Sequence, residues 1–278
     1  MTNNSQRGQT NQILIIGSTG KTGKRVLRKL ANKNIIARPG SRGSETPFDW
    51  ETPSSWNEAL KGIKTVYLTY YPDLAVPTAP KSIEDFCQVA RRHGTKHIVL
   101  LSGRGEPAAQ RCEEIVMASG MAWTIIRASW FNQNFNEGAF SDLINSGVIA
   151  LPVSDVGEPF VDVDDIADVA VAALTESHHQ GQLYEVTGPR LLSFREVASE
   201  IGQATHRKIE FVPITTAQFT SEMLKQDAPP ETISMLEFLF QEVLDGRNAV
   251  VCDGVQRALG RPPKDFRDYA LSLNQSEY

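Results

Sequence analysis

The chain has 278 residues, 41% of them hydrophobic and 22% charged, with a formal net charge of -5. That length suits one large α/β domain, or one domain plus a smaller lobe. The acidic balance argues against general attraction to nucleic acid or anionic lipid. The longest wholly apolar run, Val169 to Leu174, is far too short to span a membrane.

The polar opening "MTNNSQRGQTNQ" lacks the apolar centre of a secretory signal, and residues 1–11 are expected to form a disordered tail. The first strand is "QILIIG", apolar without alternation, as for a strand covered on both faces. A helix follows with Val26, Leu27 and Leu30 at helical spacing, then a second strand at "NIIAR" (34–38) and a short third at "TPFDW" (46–50). "TPSSWNEALKG" reads as a helix with Thr52 as N-cap, Pro53 at its first position and Gly62 past its end. "TVYLTYY" (65–71) is the fourth strand, and a helix from Ser82 to His93 is closed by Gly94. "KHIVLLS" (96–102), a helix over about 108–118 and "AWTIIRA" (122–128) complete the series. Such alternation predicts a Rossmann-like, doubly wound parallel sheet in an α/β fold, with ligands outside the carboxyl ends of the first and fourth strands.

Beyond residue 130 the pattern loosens. The sequence predicts a helix over about 162–175, a strand at 183–188, a helix from Ser193 with Glu196 completing a capping box, and a strand at 208–214. In "ISMLEFLFQEVL", Leu236, Leu239, Phe240, Val243 and Leu244 share a helical face, which is expected to pack onto the domain. The division is therefore an NAD(P)-binding domain over 12–155 and a smaller C-terminal α/β substrate lobe over 156–278, some of whose segments return to the first domain.

Gly17, Gly20 and Gly23 form G-x-x-G-x-x-G between a buried strand and a helix, with Ser18, Thr19, Lys21 and Thr22 between and beside them. The first glycine permits the tight turn, the second the approach of a pyrophosphate, and the third close packing of helix on strand. The helix N-terminus offers unpaired N–H donors to the anion. At the end of the second strand, where NAD sites often carry an acid, stand Arg38, Ser41 and Arg42. A guanidinium there pairs with a 2′-phosphate, so NADP(H) is the expected coenzyme. Asp49 and Trp50 are placed either to hold the adenine or to form a packed strand end.

"GSTGKTG", "ARPGSR", "FDWETPSSW", "LLSGRG", "ASGMAWTIIRASWFNQNF" and "PFVDVDDIADVAVAAL" together resemble the NmrA-like branch of atypical short-chain dehydrogenases/reductases. "SGRGE…CEEIV…ASWFNQNF" is similar to the ergot-alkaloid reductases, the festuclavine and agroclavine dehydrogenases. The resemblance implies coenzyme contacts from the glycine turn, Arg38, Asp49, Thr69 to Tyr71, and Ala128 to Trp130. It also aligns Ser102 with the serine that the superfamily uses to orient substrate. The superfamily's Tyr-x-x-x-Lys pair is absent: no tyrosine has a lysine four residues on, and Ala109 aligns with the usual lysine. Tyr70 and Tyr71, ending the fourth strand, are placed either as proton donors or as pocket walls; Ser102 and Tyr71 are the catalytic candidates.

Asp162, Asp164 and Asp165 precede an apolar helix with no histidine nearby, so helix capping explains them better than a metal. The histidines show no ligand spacing and no metal is expected. Cys87, Cys112 and Cys252 form no CxxC pair, which fits a reducing cytoplasm. The reading is an NADP(H)-dependent oxidoreductase reducing an activated imine, iminium, enone or carbonyl group of a small molecule without a Tyr–Lys pair. Its alternative is a non-catalytic NADP(H)-sensing regulator. No nucleic acid or membrane is expected as a partner, and a homodimer or protein partner stays open.

Overall fold

The computed structural model describes residues 12–138 and 140–274; the tail expected at 1–11 lies outside the described residues. In chain order come β1 (Ile13–Ile16), α1 (Lys21–Asn32), β2 (Arg38–Gly40), α2 (Ser55–Ala59), β3 (Thr65–Leu68), α3 (Ala79–Arg92), β4 (His97–Gly103), α4 (Pro107–Met117) and β5 (Ala122–Ala128). There follow α5 (Ser141–Ser146), β6 (Val148–Leu151), α6 (Val163–Thr175), β7 (Gln182–Val186), α7 (Phe194–Thr205), β8 (Glu210–Pro213), α8 (Thr216–Lys225), α9 (Pro230–Phe238), α10 (Gly254–Leu259) and α11 (Phe266–Leu273).

Two compact units share the chain. Among the described residues, the first takes 12–102, then Ala108–Ile126 and Ala167–Leu183; the second takes Gly103–Pro107, the described part of 127–166, and 184–274. The main sheet has the order β2-β1-β3-β4-β5-β7, and β1 pairs in parallel with both β2 and β3. Strand order thus reverses at β1, and the crevice beyond the ends of β1 and β3 is where a doubly wound sheet holds its ligand. Leu14, Val66, Ile98 and Ile125 from the strands are fully buried against Leu60, Ile83, Phe86 and Val116.

Two expectations at this sheet fail for one reason. The second strand is Arg38–Gly40 and not 34–38, because Asn34 turns the chain at φ 58 and only the residues opposite Leu14 to Ile16 find partners. No strand forms at 46–50. Gly40 directs its carbonyl to the N–H groups of Gly17 and Ser18, so Pro39 faces the outer edge, where it has no N–H to give. Pro47 removes another donor from the segment that would have paired there. Phe48 instead enters an aromatic cluster with Trp50, Trp56 and Phe86, its rings 5.2 to 6.1 Å apart. The helix expected from Pro53 begins at Ser55 and lasts five residues.

The second unit holds a two-stranded parallel sheet of β6 and β8. Its core is aromatic: Phe135, Phe140, Phe160, Phe194 and Phe266 are buried together. The stripe of "ISMLEFLFQEVL" packs as expected, Phe240 meeting Phe219 at 5.2 Å and Trp130 at 5.7 Å. The chain after α9 widens into a π-helical turn, Leu239–Val243, rather than continuing as one α-helix. The capping box is present, Ser193 Oγ accepting from Glu196 N at 3.3 Å and Glu196 Oε2 from Ser193 N at 2.7 Å. β6, α8, α10 and α11 carry no strong sequence periodicity and were not anticipated. Among the described residues no helix is long and apolar enough to cross a membrane.

Candidate functional site

The turn between β1 and α1 is built as its glycines require. Gly17 has φ +72, and a Cβ on it would fall on Thr69 Oγ1. A Cβ on Gly23 would fall on the carbonyl oxygen of Gly17. Gly20 is the N-cap residue of α1 and offers no side chain to its N–H groups. Ser18, Thr22 and Gly23 are buried beneath the turn, whereas Thr19 and Gly20 are exposed. Lys21 opens the helix, and its carbonyl accepts Arg25 Nη1 at 2.9 Å. No acidic residue occupies the first turn of α1. The positive end of the helix is therefore left for an external anion.

Hydrogen bonds tie the surrounding residues to this turn. Gly17 N and Ser18 N donate to Gly40 O at 3.0 and 3.3 Å. Thr69 Oγ1 donates to Ile16 O at 3.1 Å, and Trp50 Nε1 donates to Thr69 O at 3.1 Å. The Trp50 ring lies 4.8 Å from that of Tyr70, whose hydroxyl reaches Ser82 Oγ at 3.3 Å. Asp49 is bound through its backbone, its carbonyl accepting Trp56 Nε1 at 2.7 Å, while Oδ1 accepts the Glu51 N–H at 3.1 Å. The glycine turn, Gly40, Trp50, Thr69 and Tyr70 thus form one bonded set in the first unit. Tyr71 does not join it, being 75% exposed.

The structure corrects the arginine assignment. Arg38 starts β2 instead of ending it, and its Nη1 donates to Glu58 O, Ala59 O and Lys61 O at 3.3, 2.7 and 3.0 Å. It caps the carboxyl end of α2, adding a donor to Ala59 O and Lys61 O beside the Lys61 N–H that already reaches Glu58 O at 3.2 Å. Past the true end of β2 stand Ser41 and Arg42. Ser41 is held in its own turn by Ser44 Oγ, 3.0 Å from its N–H and 2.7 Å from its hydroxyl. Arg42 is exposed.

Ser102 is also engaged. Its hydroxyl, only 4% exposed, donates to Glu113 Oε1 on α4 at 2.6 Å. Ala109 is wholly buried in the hydrophobic core. Tyr67, adjoining this strand on β3, is fully buried, and burial pushes its phenol far above the ordinary range. Neither the Ser102 hydroxyl nor the Tyr67 phenol is placed to exchange a proton with solvent.

In the second unit Ala128 is buried and Trp130 is half-buried, stacked on Phe140 at 5.9 Å. The Trp130 N–H donates to Glu158 Oε1 at 3.3 Å. Burial raises the Glu158 carboxyl to about 7, against the opposing pull of the Trp130 N–H, Arg104 and Ser129. Arg104, itself buried, donates to Ser129 Oγ at 2.9 Å and to the carbonyls of Asn248 and Val250 at 3.2 Å each. Glu113, Glu158 and Arg104 were all missed in the sequence. A buried charge has no sequence signature when its partners come from distant segments. Asp162 does cap α6, its Oδ1 accepting the Asp164 N–H at 2.7 Å. Asp165 instead is fully buried, bound by Lys264 N and Arg261 Nη2, both at 2.7 Å. His178 and His179, unassigned by spacing, meet the Glu176 carboxylate.

Known proteins resemble this chain along most of its length. A relative from Xenophilus azovorans, an NAD(P)H azoreductase, is 30% identical over 93% of this chain and 96% of its own. Festuclavine dehydrogenase of Aspergillus fumigatus is 29% identical over 93% of this chain and 96% of its own. The triphenylmethane reductase of a Citrobacter species, solved with NADP(H), superposes with a TM-score of 0.74 at 17% identity, covering 95% of this chain and 99% of that one. The sequence model of a family described as NAD(P)H-binding matches residues 17–177, more than half of the chain, beginning at the first glycine of the turn. The chain belongs to that NAD(P)H-binding family.

Proposed function

We propose that this protein is an NADPH-dependent reductase acting on a small, largely apolar molecule whose C=N, N=N, C=C or carbonyl group is already activated. The observation that supports the reading is an intact dinucleotide turn beside a Ser102 hydroxyl committed to Glu113, with buried Ala109 where the family resemblance expects the usual lysine. When bound, the nicotinamide coenzyme supplies a hydride. The protein's own part is to hold the pyrophosphate on the Gly17–Gly23 turn and to fix the dinucleotide against Trp50, Thr69 and Tyr70. Hydride added to an iminium carbon leaves a neutral amine and needs no proton, and the anion left by hydride addition to an azo, enone or quinone group takes its proton from water, so positioning supplies most of the acceleration. The names of the relatives, an azoreductase and a clavine dehydrogenase, support substrates of this electronic type.

NADPH rather than NADH is favoured by Arg42, a guanidinium just past the carboxyl end of β2 in a stretch without acidic residues from Arg38 to Ser44. The test is NADPH oxidation with the full chain against a panel of azo dyes, cyclic iminium ions, quinones and simple ketones. Turnover of the first three classes with little turnover of unactivated ketones is expected. Tight NADPH binding with no turnover of any class, joined to a protein ligand whose affinity follows coenzyme redox state, would replace this reading with that of an NADP(H)-sensing regulator.

A further inference from the structure

Away from the coenzyme turn, at the junction of α6 and β7, three side chains with metal-ligating atoms converge in the first unit. Glu176 follows the last residue of α6, and His178 and His179 lie in the 3-10 turn Ser177–His179. Their ligand atoms all lie within 4.8 Å of one another. Glu176 Oε2 is 3.8 Å from His178 Nδ1 and 4.0 Å from His179 Nε2. Those separations are too long for hydrogen bonds. The carboxylate therefore stands between two imidazole nitrogens without bonding to either, and the two rings are themselves only 4.0 Å apart.

We propose that Glu176, His178 and His179 form a binding site for a divalent cation of the Zn2+ class. A tetrahedral ion with bonds of about 2.0–2.1 Å sets its ligands roughly 3.3 Å apart. Closing to that spacing from 3.8 and 4.0 Å about Glu176, and from no more than 4.8 Å between the two imidazoles, requires movements of about 0.5–1.5 Å, within reach of side-chain rotation. Two of the three can make them freely, since the His178 and Glu176 side chains are 68% and 53% exposed. His179 supplies the fixed point. Its ring is buried, and its carbonyl accepts Thr124 Oγ1 at 2.7 Å, while the same hydroxyl pairs with His97 Nε2 at 2.9 Å. The turn is further pinned by Gly181 N donating to Trp123 O at 2.7 Å. One ligand is thus anchored on β5 through its backbone, as ligands of preorganised sites are held by their second neighbours. Two imidazoles and one carboxylate suit a borderline ion, whereas Mg2+ and Ca2+ prefer all-oxygen sets. With three protein ligands, a fourth position is left to water. Occupied, the site would stiffen the turn that follows α6 and leave the dinucleotide turn untouched.

The test uses tag-free full-length protein, Zn2+ in competition with a chromophoric chelator at neutral pH, and melting temperature with and without Zn2+. One Zn2+ per chain and a raised melting temperature are expected, with no competition from Mg2+ at equal concentration. Loss of even an outer neighbour of a metal ligand typically costs about 10–100-fold in affinity. His178→Ala and Glu176→Gln, both at exposed positions, should therefore each weaken Zn2+ binding at least about tenfold, while His93→Ala and His206→Ala leave it unchanged. Less than one equivalent bound, equal displacement by Mg2+, or wild-type affinity in His178→Ala would overturn the proposal.

Discussion

Glu158 is the residue whose environment departs furthest from what its sequence neighbourhood suggests. "GEPF" looks like an exposed turn, yet the carboxyl is 2% exposed and titrates near 7 instead of near 4.5. Between those two values the folded chain holds a proton that the unfolded chain has released, so stability falls as pH rises through that window. The full span corresponds to about 3 kcal/mol at most. Chemical denaturation from pH 5 to 8 should show this decline in the wild type and a much flatter profile in Glu158→Gln, which keeps an acceptor for the Trp130 N–H. The coenzyme turn makes a sterner demand. Gly17→Ala combines a left-handed backbone with a collision at Thr69, so NADPH affinity should fall more than tenfold and the melting temperature should drop. Wild-type affinity in that variant would remove Gly17 from the site. These glycines were legible because their spacing depends only on local geometry. Glu158 was not, because its burial depends on Trp130, Ser129 and Arg104 arriving from elsewhere in the sequence.

At the scale of elements, the proposed reading gives the two arginines near β2 different roles, Arg38 in holding α2 and Arg42 in binding the coenzyme. Arg38 grips the end of α2, so Arg38→Ala should cost about 1 kcal/mol of stability and affect NADPH and NADH binding alike. Arg42→Ala should leave stability unchanged and weaken NADPH binding by roughly 10–100-fold, with NADH unaffected, as for loss of a charge-assisted bond. Isothermal titration of both variants with both coenzymes distinguishes the assignments, and an equal response to the two coenzymes in Arg42→Ala would remove it from the 2′-phosphate site. The sequence misled here by four residues. "NIIAR" has the composition of a strand, but the register with Leu14 to Ile16 begins at Arg38, and composition carries no information on register. β5, by contrast, was read with its true ends, since Gly120 stops the preceding helix and β-favouring Trp123, Thr124, Ile125 and Ile126 follow directly.

For the whole molecule, a boundary near residue 155 follows the loss of strand–helix alternation, but the compact units are not continuous in sequence. The first unit needs Ala167–Leu183, which holds most of α6 and the start of β7. Lys29 on α1 is paired with Asp168 on α6 at 2.7 Å, so the helix of the glycine turn rests partly on that late segment. A chain truncated after residue 155 should therefore fail to fold or to bind NADPH, as circular dichroism and titration would report. A folded, NADPH-binding fragment of that length would contradict the division. Local periodicity reveals helices and strands, but not which distant segments complete a unit.

Pro39 has a bearing on the life of the protein at high concentration. β2 is the edge of the main sheet, three residues long, and its outward-facing residue has no N–H. An incoming strand, from a second molecule or from a partly unfolded copy, would find neither the length nor the donor needed to extend the sheet. The same imino acid that denies the chain its own third strand also protects it against edge-to-edge polymerisation. Pro39→Thr would restore a donor to that edge, and aggregation on mild heating is where the difference would be seen.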